Sequence, residues 1–189
     1  YLIPYEKGFS ISPFIDSFVD WVWETFFYYL NSFNIFLITN VLFPMKNAYL
    51  GMPVISTFIL VMGTGYIIGG IRSAVIVGLL ILFIALSEYW DRALITAYMA
   101  TFAVIISAII GLIVGSICAQ NSKLTKFMLF ICDFFQTFPS FVYLIPVILL
   151  FGITDTSVLL AAIVYATIPS TRYTIEGLRS VPLSLHEAG

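Results

Sequence analysis

The sequence predicts an all-α, polytopic membrane protein of about five transmembrane helices, with amphipathic interfacial helices at its N-terminal end. Three observations carry this. The 189 residues are 61% hydrophobic and only 10% charged, with a mean hydropathy of +1.06. A water-exposed domain carries about 25% charged residues, so these few could not cover its surface. The charges also sit at seams between uncharged runs, at 47–71, 73–87, 93–122, 134–154 and 156–171. Finally, the 30-residue run from Ala93 to Ser122 exceeds the ~20 residues that a span needs.

Several classes are excluded. A net charge of −2 without a basic block argues against a nucleic-acid partner. Cys118 and Cys132 lie in or beside apolar runs and read as small packing residues, since no ligand stands at metal spacing. No signal-peptide pattern is visible. The chain opens at Tyr1 and closes on Leu185-His186-Glu187-Ala188-Gly189, which looks like the start of a helix, so it reads as C-terminally incomplete.

Residues 1–50 read as an external or interfacial amphipathic region. Asp16, Asp20 and Glu24 share one helix face, and Phe14, Phe18, Trp21, Val22, Phe26 and Phe27 fill the others. Residues 25–45 are uncharged but contain Asn31, Asn34, Asn40 and Pro44. A second interfacial segment is preferred to a span there, because buried amides without partners are costly. Residues 51–90 read as a transmembrane hairpin, with Arg72 separating its arms and Gly65 and Gly69 spaced for close packing. From 91 onward come a span with a second GxxxG at Gly111 and Gly115, the short loop Asn121–Lys126, a run interrupted by Pro139 and Pro146, and a last span that continues through Arg172, Glu176 and Arg179. Each proline removes a backbone hydrogen bond and can kink its helix.

Arg72, Lys123, Lys126, Arg172 and Arg179 fall on turns sharing one side, against Arg92 with Glu88, Asp91 and Asp155 on the other. Positive charge marks the cytoplasmic side, so the chain ends in the cytoplasm. The N-terminal region then lies outside if residues 25–45 do not span.

Catalytic motifs are missing. There is no phosphate loop of the pattern G-x-x-x-x-G-K-S/T, and the single histidine, His186, forms no zinc cluster or triad. Intramembrane polar groups are the other candidates. Arg172 and Glu176 can pair at i, i+4. Asp133 either faces a water-filled path or pairs with a lysine near the interface. Gln136, Thr137 and Tyr143 flank the break at Pro139, and such breaks are tolerated where a helix lines a cavity. Trp21, Trp23 and Trp90 read as interfacial anchors in preference to an ammonium cage.

The run Asp133, Gln136-Thr137, Pro139, Phe141-Val142-Tyr143-Leu144-Ile145-Pro146, Leu150-Phe151-Gly152-Ile153, Ile168-Pro169, Arg172, Gly177, Val181-Pro182 and Glu187-Ala188 resembles the permease subunit of binding-protein-dependent ABC importers, in particular the glycine betaine/proline betaine group. The resemblance implies a type I permease core of about five helices in a bacterial cytoplasmic membrane. It implies a cytoplasmic coupling segment, Pro182, Leu183, Leu185, His186, Glu187, Ala188 and Gly189, docking on an ATPase. Glu187-Ala188 match the opening of the family's EAA loop, while Gly189 stands where a further Ala or Ser is usual. The implied partners are a cytoplasmic ATP-binding subunit, an external solute-binding protein, a second permease copy forming a homodimer, and membrane lipid. ATP and Mg would belong to the ATPase, leaving no cofactor in this chain. The translocation path would draw on Asp133, Gln136, Thr137, Pro139 and Tyr143. The expected activity is ATP-driven import of a compatible solute such as glycine betaine or proline betaine; choline, carnitine or an amino acid are alternatives on the same machinery. An ion-coupled secondary transporter or a structural membrane subunit are alternatives of other classes.

Overall fold

A computed structural model of the chain describes residues 12–181, and these are helical with no strand among them. The order is α1 (Ser12–Leu37), a π-turn (Ile38–Leu42), α2 (Phe43–Leu50), α3 (Val54–Leu86), α4 (Trp90–Ala119), α5 (Ser122–Gln136), a 3-10 turn (Ser140–Tyr143), α6 (Leu144–Phe151) and α7 (Asp155–Arg179). Four stretches are long and apolar enough to cross a membrane: Pro13–Leu50, Val54–Leu86, Trp90–Ala119 and Asp155–Arg179. α5 with residues 140–151, bent by 103°, makes a fifth if counted as one broken span.

The N-terminal region differs from expectation. α1, the π-turn and α2 run on as one helix. Of the amides that argue against a span over residues 25–45, Asn40 donates to the Phe36 carbonyl one turn back at 3.2 Å, while Asn34 Oδ1 is buried without a partner. Pro44 is accommodated because the π-turn shifts the ladder just before it, with Phe43 N–H reaching Ile38 O. An external N-terminal region followed only from residues 25–45 not spanning, so that placement is unsupported.

α3 is hydrogen-bonded as 33 residues but is not straight. Gly70 sits at φ 69°, ψ −165°. A Cβ placed on Gly65 would lie 3.5 Å from Ala74 Cα, and one on Gly78 would lie 2.9 Å from Met62 Sδ. Positions 62 and 78 of a straight helix would be ~24 Å apart. The chain therefore doubles back at Gly70, two residues before Arg72, where only glycine adopts that backbone without strain.

The core is built on α4 and α7, whose contact is the most extensive between any two elements. Glycines set the spacing. A Cβ on Gly111 would meet the Ser170 side chain and come 2.8 Å from the Ser170 carbonyl carbon; one on Gly115 would come 2.6 Å from Thr174 Cβ and 3.0 Å from Thr171 O. Close backbone approach of this kind replaces the hydrophobic drive that is absent between helices in lipid. Across this pair lies the π-turn with α2: Leu42 of the turn forms one buried cluster with Tyr98, Ala103, Leu159 and Ile163, and Met45 and Tyr49 of α2 pack against it.

Caps define the remaining ends. The Asn121 side chain accepts from Lys123 N–H at 2.9 Å to open α5, and Thr154 Oγ1 accepts from Ser157 N–H at 3.3 Å to open α7. Asp155 in the first turn and Arg179 in the last complement the α7 dipole.

Candidate functional site

The candidate site is the seam between α5, the break that follows it, and the middle of α7. In an unbroken helix the Phe135 carbonyl would accept from the N–H of residue 139, but Pro139 has none. The Tyr143 hydroxyl donates to that carbonyl. Thr137 Oγ1 donates to Phe134 O at 2.7 Å, occupying the neighbouring carbonyl. The bend is thus closed by side chains together with two short backbone bonds, Thr137 N–H to Phe134 O at 3.2 Å and Phe138 N–H to Phe135 O at 3.3 Å. Aromatic rings line it: Phe134–Phe138, Phe135–Tyr143 and Tyr143–Tyr165 have centroids 5.2, 6.3 and 5.7 Å apart.

Facing the break is a polar cluster centred on Arg172. Its guanidinium donates to Asp133 Oδ1, to Gln136 Oε1 at 3.3 Å, and through Nε to Glu176 Oε1 at 2.9 Å. Side-chain exposure is 31% for Arg172, 60% for Asp133 and 47% for Glu176, so the cluster lies on the surface of the helices and not in their core. Arg172 stands about 25 Å along α7 from Asp155. The lysine partner expected for Asp133 is replaced by this arginine, because α5 runs antiparallel to α7 and brings position 133 beside 172.

Of the sequence-derived path residues, Asp133 and Gln136 thus share one cluster, while Thr137, Pro139 and Tyr143 build the adjoining break. The coupling residues Pro182, Leu183, Leu185, His186, Glu187, Ala188 and Gly189 lie outside the described residues.

Two further polar ties carry no signal in the spacing of the sequence. At one end of the bundle Asp155 Oδ2 accepts from Lys46 Nζ at 3.4 Å and from the Tyr98 hydroxyl at 3.2 Å. Lys46 therefore joins Arg92 on that side, and the basic bias becomes five against two, still favouring the Arg172–Arg179 end as cytoplasmic. At the other end Arg179 donates to Thr125 Oγ1 at 2.9 Å and to Ser122 Oγ at 3.5 Å, while Thr125 Oγ1 donates to Cys118 O at 2.8 Å. Behind α5 lies a cavity of about 380 Å³, lined almost wholly by apolar groups from α4, α5 and α7, among them Val114, Ile131, Cys132, Phe135, Val164 and Ile168.

Comparison with known proteins agrees with this architecture. Residues 109–189 match the family described as binding-protein-dependent transport system inner membrane component. The chain is 64% identical over 186 residues to the trimethylamine N-oxide transport system permease protein of Pelagibacter ubique, covering 98% of this chain and 26% of that protein. It is 39% identical over 158 residues to the protein of the same description from Ruegeria pomeroyi, covering 84% and 24%. It is 32% identical over 184 residues to the glycine betaine transport system permease protein of Bacillus subtilis, covering 94% and 63%. The chain spans about a quarter of the length of the two trimethylamine N-oxide relatives. The stretch similar to binding-protein-dependent transport system inner membrane components, residues 109–189, includes α7 and the polar cluster on it.

Proposed function

We infer that the chain is a membrane-embedded part of the permease of an ATP-driven importer whose solute is a small methylated amine, trimethylamine N-oxide first and glycine betaine second. The 64% identity over 98% of the chain to a trimethylamine N-oxide permease carries the choice of solute. Both solutes pair a fully methylated, positively charged nitrogen with an anionic oxygen. The expectation of a glycine betaine or proline betaine solute is thereby narrowed in chemistry and shifted in rank.

In this reading an external solute-binding protein delivers the solute and two permease copies enclose the path. The α5 break and the Asp133–Gln136–Arg172–Glu176 cluster face that path. Charged side chains on spanning helices need water or protein around them, not lipid. ATP is bound and hydrolysed by a separate cytoplasmic subunit, and the segment from Pro182 to Gly189 carries its motion to α7. This chain then supplies no catalytic group and no cofactor site of its own.

The test is purification of the intact transport system, reconstituted in lipid, with ATP hydrolysis measured against solute. Stimulation by trimethylamine N-oxide at lower concentration than by glycine betaine is the expected result. Stimulation by neither, with an ATP-hydrolysing subunit present, would sink the choice of solute. In the same preparation, Glu187→Lys should abolish solute-dependent hydrolysis while leaving membrane insertion unchanged.

A further inference from the structure

α5 is fastened to the rest of the chain unlike any other helix of the core. α4 and α7 are packed at backbone contact through Gly111 and Gly115. α5 buries only Thr125 and Cys132 against α4 and α7, and an apolar cavity runs along part of the same face. Polar ties hold it at two levels of α7: Arg179 to Ser122 and Thr125 at its start, Arg172 to Asp133 and Gln136 near its end. Beyond Gln136 comes the proline break, a natural hinge.

Arg172 has a second carboxylate. Glu176 stands on the same helix at i+4 and so stays beside the guanidinium wherever α5 goes. Separating Asp133 from an arginine with no other partner would leave an unpaired charge at membrane depth, which is strongly unfavourable. With Glu176 in place the guanidinium keeps a counter-ion throughout. The cavity provides the room, the break provides the hinge, and Glu176 lowers the barrier to release.

We propose that α5 is the moving element of this permease and that Arg172 is its switch, holding Asp133 and Gln136 when α5 is docked on α7 and retained by Glu176 alone when α5 swings away. This rests on the importer reading, since ATP is what drives the swing.

Cys132 and Ile168 line the cavity from opposite sides, with Cys132 Sγ 3.7 Å from Ile168 O. In the intact transporter, with Cys118→Ala and Ile168→Cys, oxidative cross-linking between positions 132 and 168 reports docking without any solute. Cross-linking should be fast in the nucleotide-free complex and slower in the ATP-vanadate-trapped complex by roughly fivefold, the size that one partly exposed ion pair can carry. Asp133→Asn should lower the nucleotide-free rate towards the trapped one. Glu176→Gln should hold the trapped rate near the nucleotide-free one. The pair Ile131→Cys with Val164→Cys, in a Cys132→Ser background, repeats the measurement should the first set fail to fold. Unchanged cross-linking in a complex that hydrolyses ATP overturns the switch alone, as does a Glu176→Gln variant that behaves like its parent. A transporter with no associated ATPase overturns the importer reading and the switch with it.

Discussion

The Tyr143 hydroxyl occupies the carbonyl of Phe135, the group left without its helical donor by Pro139. The Phe138 N–H also reaches that carbonyl, at 3.3 Å, so a side chain eight positions along and a short backbone bond together replace what the proline removes. Tyr143→Phe should destabilise the protein by about 0.5–1.5 kcal/mol, the net range for one hydrogen bond, because the Phe138 N–H keeps the carbonyl paired. Thermal unfolding in detergent, followed by fluorescence or by loss of soluble monomer, reads this directly. An unchanged midpoint would mean that water or a neighbouring donor serves the carbonyl equally well.

Gly111, in the α4–α7 seam, and Gly177, which lies in open space near the end of α7, should respond oppositely to one added methyl. Gly111→Ala forces Cβ against the Ser170 backbone and should cost about 1–3 kcal/mol, as overpacking does. Gly177 meets nothing within 4 Å, so Gly177→Ala should leave stability unchanged or raise it by up to ~1 kcal/mol through helix propensity. Equal effects of the two substitutions on the unfolding midpoint would contradict the packing described.

Glu88 holds a left-handed backbone, φ 62°, in the turn between α3 and α4. A side chain there is strained by roughly 1–2 kcal/mol, which glycine escapes at some entropic loss. Glu88→Gly should therefore stabilise the folded protein, by roughly 0.5–1 kcal/mol. A lower unfolding midpoint in that variant would show that the Glu88 carboxylate has a role outweighing its backbone strain.

The side of the membrane on which each end lies can be read by labelling. Ile153, at the turn before α7, is 91% exposed, and Phe14 near the start of α1 is 76% exposed. Ile153→Cys should react with an impermeant thiol reagent added outside. If the helix from Pro13 to Leu50 crosses, Phe14→Cys should be protected from outside and react from the cytoplasmic face. External labelling of Phe14→Cys would restore an interfacial N-terminal region.

Much of this was legible in the sequence because charge in a membrane protein is confined to seams. The empty run from Ala93 to Ser122 and the one from Thr156 to Thr171 marked α4 and most of α7, and the two GxxxG pairs marked close packing. The continuity of residues 25–45 with the helix on either side was not legible, for a local reason. Asn40 is satisfied by its own helix through Phe36 O, a bond that composition does not reveal. Asp133 stood out in the sequence as a charge within an apolar run, but its partner did not, since 39 positions separate it from Arg172 and only the antiparallel placement of α5 on α7 unites them. The tie between Arg179 and Thr125 was hidden in the same way, with 54 positions between the two.

The ion pair between Lys46 and Asp155 also bears on how the protein is made. The two residues are 109 positions apart. At about 5–20 residues per second of synthesis, α2 waits roughly 5–20 s for the helix that receives it. During that interval Leu42 and Lys46 have neither Leu159 nor Asp155 to meet. The N-terminal helix must therefore be held by lipid, or by the insertion machinery, until α7 emerges. Substitutions at Lys46 or Leu42 would then reduce the yield of inserted protein before they affect the stability of the finished one.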